Sequence, residues 1–276
     1  YEWMLKNVSF PNCMVDRITP VTTNEDRKMT SEKLGITDQW PVVSEDFFQW
    51  VVEDNFVAGR PPFEKAGVQI VKDVEPYEFM KLRLINAGHQ LIAYFGLLID
   101  YSFVHDVMNF ELIANYLRDY LENEATSTLQ PVDGINVAEY KAKIIQRFQN
   151  PHVKDTLARL AVDGSDRVFK FVIPVIVDRL ANNQSIYLST AIVASFAYYI
   201  NGLTEKGYEI EIVDAALAKL EVLSKKLQKD PTAIKNEHEM FGDVVRDERF
   251  VKVFKEIYEK IRKDGSENTL RWLANL

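Results

Sequence analysis

The sequence changes its hydrophobic period at Pro76. From there to the C-terminus, apolar side chains recur at the three- and four-residue intervals of amphipathic helices. The pattern predicts about eight helices, over residues 77–99, 103–123, 137–149, 153–162, 168–181, 188–200, 213–227 and 248–263. No internal repeat or long linker interrupts this part, so residues 76–276 are expected to form one helical domain.

Residues 1–75 have a different character, with frequent proline and turn signals. They contain three short strand-like runs, at residues 41–43, 47–52 and 68–71. We expect a linker and short-strand region that belongs to a domain junction. The whole chain is then mainly α, with a small β-containing N-terminal portion. Its opening residues read as the middle of an element, so we expect a fragment.

Composition disfavours several classes of function. A net charge of −8 argues against nucleic acid as a partner, because such binders need a basic surface. Cys13 is the only cysteine, which fits a reducing, cytoplasmic location and leaves no cysteine cluster for zinc. The longest apolar runs, 91–99 and 191–200, are shorter than the ~20 residues of a membrane span. We therefore expect no membrane association.

The chain also lacks the fingerprint of a dinucleotide-binding fold. None of its 11 glycines falls in a G-x-G-x-x-G pattern between a strand and a helix. Tyr77 and Lys81 do match the YxxxK spacing of short-chain dehydrogenases. That pair acts inside a Rossmann domain with an upstream glycine motif, so we assign no chemistry to the match here.

Three polar residues on the first long predicted helix could meet one small ligand. On a regular α-helix, His89 lies about 80° and Asn86 about 140° around the axis from Lys81. Such a set suits alcohol oxidation without a metal, with an amine as the base and two donors for the alkoxide. A lysine base needs surroundings that favour its neutral form. The same spacing also arises by chance, with Lys81 solvated and His89 an ordinary core histidine.

The other histidines do not indicate a metal centre. His105 and Asp106 are typical of a solvated pair or a cap, and His152 follows the helix-starting Pro151. Residues 236–239 lack the second histidine of an HExxH motif. We expect no bound metal.

Four separated stretches resemble the polyol-specific long-chain dehydrogenases, the family of mannitol 2-dehydrogenase. They are residues 9–20 (SFPNCMVDRITP), 73–94 around the Lys, Asn and His set, 147–151 (RFQNP) and 155–170, in the family's order. The chain thus resembles the C-terminal substrate-binding domain of that family, without its N-terminal Rossmann domain. The resemblance implies a multi-helical fold similar to the C-terminal domain of 6-phosphogluconate dehydrogenase.

The resemblance gives catalytic roles to the KxxxxNxxH pattern. Lys81 matches the family's general base. Asn86 matches the amide that helps to hold the developing oxyanion. His89 matches the imidazole that binds a substrate hydroxyl and orients the base.

It also implies three residues that bind substrate. Asp16 corresponds to an acidic residue near the site, although from the residues alone Asp16 and Arg17 could as well form a local ion pair. Arg159 looks like the arginine that contacts the distal part of the polyol. Arg167 stands where the family often has lysine, which preserves the charge but not the geometry.

The activity implied is the interconversion of D-mannitol and D-fructose, a polyol and a ketose, with NAD or NADP bound mainly by the family's Rossmann domain in cis. The chain alone is then expected to be nearly inactive. Fructuronate or tagaturonate reductases and arabinitol dehydrogenases of the same family are alternatives. A uronate carboxylate would need an extra cation, for which Arg159 and Arg167 are candidates. A non-catalytic binding module is the alternative from another class.

Overall fold

The structure, a computed structural model, describes residues 1–276. The chain forms two compact units. The first comprises residues 1–81 and 150–154, and the second comprises residues 82–149 and 155–276.

The first unit is built on a three-stranded sheet in the order β1 (Cys13–Asp16), β2 (Gln49–Glu53) and β3 (Gln69–Val71). β1 runs antiparallel to β2, and β3 runs parallel to β2. Along β1, Met14 and Asp16 are buried while Cys13 and Val15 are exposed, as the two-residue period of a strand requires. The carboxylate of Asp16 is therefore on the covered face of the sheet.

Helices of the first unit are α1 (Glu2–Asn7), α2 (Asn24–Leu34) and α3 (Glu75–Lys81), with a 3-10 turn over Phe63–Ala66. α2 has no buried residue, so no apolar stripe signals it in the sequence. Its ends are instead well capped. The Thr23 hydroxyl accepts a hydrogen bond from the Asp26 amide, and Gly35 adopts a left-handed conformation after the last turn.

Two of the three predicted strands are confirmed, because β2 and β3 fall within 47–52 and 68–71 or one residue beyond. The strand predicted at 41–43 is wrong. These residues form a loop, in which the Pro41 carbonyl accepts the Thr22 hydroxyl at 2.7 Å and proline offers no amide to a ladder. β1 was not predicted.

The second unit is helical. Its α-helices are α4 (Ala87–Leu98), α5 (Val104–Val107), α6 (Glu111–Asp119), α7 (Val137–Phe148), α8 (Leu157–Ala161), α9 (Gly164–Arg167), α10 (Ile173–Ala181), α11 (Tyr187–Tyr199), α12 (Leu217–Lys229), α13 (His238–Phe241) and α14 (Glu248–Leu273). π-helical segments occur at Leu82–Asn86, Tyr120–Ala125 and Val168–Val172, and 3-10 turns at Thr126–Thr128, Pro231–Asn236 and Gly242–Arg246.

Two helices that are buried on almost all sides, α4 and α11, form the centre of this unit. α4 packs on α8 and α11, and α11 packs along α14. Glycine allows some of these elements to approach closely. A Cβ on Gly96 would lie 2.6 Å from Leu157 Cδ1, and one on Gly164 would lie 2.6 Å from the Tyr94 hydroxyl.

The mainly helical prediction is confirmed, but several boundaries differ. The predicted helix over 103–123 breaks after α5, and the one over 153–162 starts only at Leu157, after the capping Thr156. The last helix continues beyond 263 to Leu273 through a kink at Gly265, where φ is 80°. The regular α-helix assumed from 81 to 89 is wrong over Leu82–Asn86, which is π-helical. The angles of about 80° and 140° assumed a uniform α-helix and do not apply.

No helix in the structure is both long enough and apolar enough to cross a membrane.

Candidate active site

The proposed base lies at the end of α3 in the first unit. Lys81 is half-buried, and its Nζ donates a hydrogen bond to the Val15 carbonyl at 3.1 Å. Val15 is in β1, so the end of α3 is held against this edge strand. This hydrogen bond fixes the position of the amine at the end of α3.

Asp16 follows Val15 directly and is buried, with 4% of its surface exposed. The first unit therefore places Asp16 and Lys81 close to the same strand end, although they are far apart in sequence. The guanidinium of Arg17 donates to the Glu45 carbonyl through Nε and Nη2, at 3.0 and 2.8 Å. This contact gives Arg17 a structural role of its own and weakens the interpretation of Asp16–Arg17 as a simple local ion pair.

Asn86 and His89 lie in the second unit at the start of α4. Asn86 ends the π-helical segment, and His89 is in the first turn of the helix. Their three-residue separation puts them on one face. The His89 imidazole is half-buried and stacks on Phe148 of α7, with ring centroids 4.3 Å apart and planes 20° apart. The stacking fixes the plane of the imidazole.

Gly88 explains how this stacking is possible. A Cβ at this position would lie 3.1 Å from Leu117 Cδ1 and 3.7 Å from a Phe148 ring carbon. The absence of a side chain therefore lets α6 and the end of α7 come close to the turn that carries His89.

Arg159 projects from α8 and is locked to a buried carboxylate. Its Nε and Nη2 donate to the two oxygens of Asp155, at 2.6 and 2.5 Å. Asp155 is 4% exposed, whereas the Arg159 side chain is 36% exposed. The hydrogen bonds that the guanidinium donates to Asp155 raise the pKa of Arg159 above its ordinary value, so this side chain remains charged.

Arg167, at the end of α9, contacts the backbone of α8. Its Nη1 donates to the Leu160 carbonyl at 3.0 Å. The same carbonyl accepts a hydrogen bond from Gln90 Nε2 at 3.1 Å, and Gln90 in turn accepts the Tyr94 hydroxyl. Burial raises the pKa of the Tyr94 phenol well above its usual range. This chain of hydrogen bonds joins α4 to α8 and α9.

Sequence reasoning missed the importance of Asp155 and Gln90. The four-residue separation of Asp155 and Arg159 is a recognisable signal for an ion pair on one helical turn. No comparable signal marks Gln90, because its partner carbonyl is 70 residues away in sequence.

Two of the histidines set aside in the sequence, His105 and His238, form side-chain pairs with a nearby aspartate. His105 Nε2 is 3.3 Å from Asp106, and His238 Nε2 is 2.9 Å from Asp243. Nowhere in residues 1–276 do three or more His, Cys, Asp or Glu side chains cluster so that they could hold a metal ion. Tyr77 of the YxxxK match is 4% exposed.

Comparison with known proteins defines the class first. The family model described as "Mannitol dehydrogenase C-terminal domain" matches residues 73–262, and the one described as "Mannitol dehydrogenase Rossmann domain" matches residues 1–65. The chain therefore belongs to the mannitol dehydrogenase family. The match over 1–65 modifies the expectation that the chain holds none of the Rossmann domain, since this segment is similar in sequence to part of it.

Individual relatives agree. Mannitol dehydrogenase 2 of Saccharomyces cerevisiae is 41% identical over 248 residues, which are 90% of this chain and 49% of the relative. Mannitol 2-dehydrogenase of Aspergillus fumigatus is 37% identical over 273 residues, 98% of this chain and 54% of the relative. The chain thus spans about half the length of these curated relatives.

Solved structures give the same result for the fold. Mannitol 2-dehydrogenase of Pseudomonas fluorescens, in a ternary complex with NAD and D-mannitol, superimposes with a TM-score of 0.93 at 38% identity. The match covers 99% of this chain and 56% of that one. A D-sorbitol dehydrogenase in substrate-free form gives a TM-score of 0.83 at 30% identity, covering 98% of this chain and 56% of that one.

Proposed function

We propose that this chain supplies the substrate-binding and proton-transfer part of an NAD- or NADP-dependent polyol dehydrogenase that interconverts D-mannitol and D-fructose. Family membership and the names of the relatives support the reaction class. The proposal includes a junction region over residues 1–75 and a catalytic domain over residues 76–276. It also includes a cytoplasmic location and a reaction that uses no metal.

One observation carries the assignment of the base. The Lys81 amine is held at the end of α3 by the Val15 carbonyl, next to the buried Asp16. The hydrogen bond holds the amine in place. In the proposed reaction, Lys81 takes the proton of the substrate hydroxyl during oxidation and returns it during reduction.

The start of α4 would contribute the donors for the developing oxyanion. The Asn86 amide has two N–H groups and the His89 ring has one or two, according to its protonation. Donors fixed before the reaction stabilise negative charge more effectively than mobile ones. The Phe148 stacking provides such fixation for His89.

The residues of this chain do not fit a complete dinucleotide site. None of the 11 glycines belongs to a G-x-G-x-x-G loop, although residues 1–65 match part of the family's Rossmann domain. NAD or NADP would take up the hydride in the proposed reaction. The roles assigned to this chain are limited to the proton and the polyol.

The test uses the complete product of the gene and follows NADH oxidation with D-fructose. Replacing Lys81 by Met should lower kcat by about 10²- to 10⁴-fold, the usual contribution of a positioned base. The melting temperature should stay close to that of the parent. Lys72→Met, at an exposed position of the same unit, is the matched control and should retain full activity.

Retention of activity in Lys81→Met would overturn the assignment of the base. If the unmodified protein neither reduces fructose, fructuronate or tagaturonate with NADH nor oxidises arabinitol with NAD⁺, the non-catalytic alternative would be favoured. A clear preference for one of the last three substrates would favour the corresponding member of the family.

A further inference from the structure

We propose that Asp155 determines substrate specificity by positioning Arg159 and balancing its positive charge. The enzyme then favours a substrate whose distal end is uncharged over one that ends in a carboxylate. The proposal rests on the proposed function, since it takes Arg159 as the residue that meets the distal end of the polyol. It adds which kind of distal group the site prefers and which residue sets that preference.

The geometry of the ion pair leaves one edge of the guanidinium for a ligand. Asp155 binds the side formed by Nε and Nη2, in the bidentate arrangement that suits a carboxylate. Nη1 lies at the other end of the planar group, on a side chain that is 36% exposed. A hydroxyl or carbonyl oxygen of a substrate can accept a hydrogen bond from that end.

The backbone around Asp155 is fixed on both sides. Its carbonyl accepts the Val104 amide at 3.0 Å, and the Leu157 amide donates to the Ser102 carbonyl at 2.9 Å. The Thr156 hydroxyl caps the first turn of α8 by accepting the Arg159 amide. The carboxylate of Asp155 is therefore held in place by its backbone, and it keeps the guanidinium of Arg159 in one orientation.

The surroundings contain no surplus positive charge. Arg159 lines a cleft of about 640 Å³ in the second unit, whose other cation, Lys206, is paired with Asp100 at 3.0 Å. Glu209 and Glu211 line the same cleft.

The second candidate cation from the sequence, Arg167, does not line this cleft, and its Nη1 donates to the Leu160 carbonyl. A uronate carboxylate at Arg159 would therefore meet a guanidinium whose charge is already balanced by a buried anion. A neutral hydroxyl does not depend on that balance. Both kinds of ligand can accept a hydrogen bond from Arg159. The carboxylate, however, gains little extra electrostatic attraction, because Asp155 already balances the charge of the guanidinium.

The test is Asp155→Asn in the complete gene product, with kcat and KM measured for D-fructose and D-fructuronate. Asparagine keeps the shape and one oxygen acceptor for Arg159 but removes the negative charge. The ratio of kcat/KM for fructuronate to that for fructose should rise at least tenfold, mainly through a lower KM for fructuronate. The rise should shrink at high ionic strength because the new attraction is electrostatic.

Asp166→Asn is the matched control. This exposed carboxylate pairs with Lys170 one turn away in the same unit, so the substitution removes the same charge without touching Arg159. It should leave the ratio unchanged. Arg159→Gln is the second variant, because it exposes the substrate to Asp155 alone and should lower the ratio several-fold.

An unchanged ratio in a folded Asp155→Asn protein would overturn the proposal. If that variant does not fold, Arg159→Gln decides, and an unchanged or increased ratio overturns it. A parent protein that already prefers fructuronate to fructose also contradicts the proposal while leaving a dehydrogenase function intact. A parent protein with no activity on either sugar contradicts the proposed function itself, so the two failures are distinguishable.

Discussion

Replacing Arg179 by Met should destabilise the protein strongly, because it leaves a buried carboxylate without its cation. Arg179 and Glu124 are 5% and 1% exposed and approach to 4.0 Å. Arg179 also donates to the Asn123 carbonyl at 2.9 Å and to the Ser127 hydroxyl. Breaking a buried pair from one side costs about 3–5 kcal/mol, which for a domain of this size lowers Tm by roughly 6–20 °C.

The loss should depend on pH in a defined direction. Burial raises the pKa of the Glu124 carboxyl above its ordinary value, and removal of the nearby arginine raises it further. The folded state then binds a proton more readily than the unfolded state. Stability of the variant should therefore increase as pH falls from 7.5 to 5.5, so the difference from the parent should be smaller at pH 5.5.

Urea denaturation at both pH values measures the effect. Arg179→Met combined with Glu124→Gln should recover part of the loss, because glutamine carries no charge and keeps an oxygen for the Ser189 amide, whereas its NH2 group cannot accept from the Leu188 amide, which bonds to the other oxygen of Glu124. Lys255→Met is the control, because it removes the exposed ion pair between Lys255 and Glu259, which are 3.9 Å apart. It should lower the free energy of unfolding by at most about 1 kcal/mol. A loss under about 1 kcal/mol in Arg179→Met, or one that grows at low pH, would refute the reasoning.

Two further substitutions examine the supports of the site. Gly164→Ala should lower stability by about 1–3 kcal/mol despite the better helix propensity of alanine, because the new Cβ would lie 2.6 Å from the Tyr94 hydroxyl and 2.8 Å from a Phe196 ring carbon. Thermal unfolding measures this effect. A variant more stable than the parent would contradict the prediction and show that neighbouring side chains can move to accept the new Cβ. Phe148→Leu should remove the stacking that orients His89 and lower kcat about tenfold or more, with melting reduced by a few degrees. Steady-state kinetics at saturating fructose would contradict this expectation if kcat were unchanged.

The helical part of the fold is readable from sequence because α4, α10, α11 and α14 bury long apolar faces that repeat with the helical period. The hydrophobic period indicates which residues are buried. It therefore does not predict a helix that forms without burying a side chain. α2 forms without a buried residue. The helix predicted from 213 begins only at Leu217.

The delayed start of α12 has an identifiable cause. Asp214 accepts hydrogen bonds from the amide and hydroxyl of Ser165 and from the amide of Ala216. These bonds hold residues before Leu217 in a turn and away from a helical path. A partner 49 residues distant leaves no trace in the local pattern, so the sequence favours the longer helix.

The candidate site divides in the same way. The spacing grouped Lys81, Asn86 and His89, and the resemblance gave them catalytic roles. The π-helical turn before α4 and the stacking on Phe148 depend on packing that the spacing does not express. The resemblance predicted Arg159 as a contact for the distal part of the polyol. Its partner Asp155 lies four residues earlier in the sequence, but this spacing does not express that the carboxylate is buried.

The exposed helix α2 makes this part of the chain a convenient place for a reporter. A helix of 11 residues with no buried side chain is only marginally stable on its own in water, so its caps and its few surface contacts decide whether it stays folded. Arg27 of α2 lies 5.1 Å above the ring of the exposed Trp40 and donates to the Gln39 carbonyl. In a variant whose other three tryptophans are replaced by phenylalanine, fluorescence of that indole can therefore follow the opening and closing of α2 while the sheet and the helical unit remain intact.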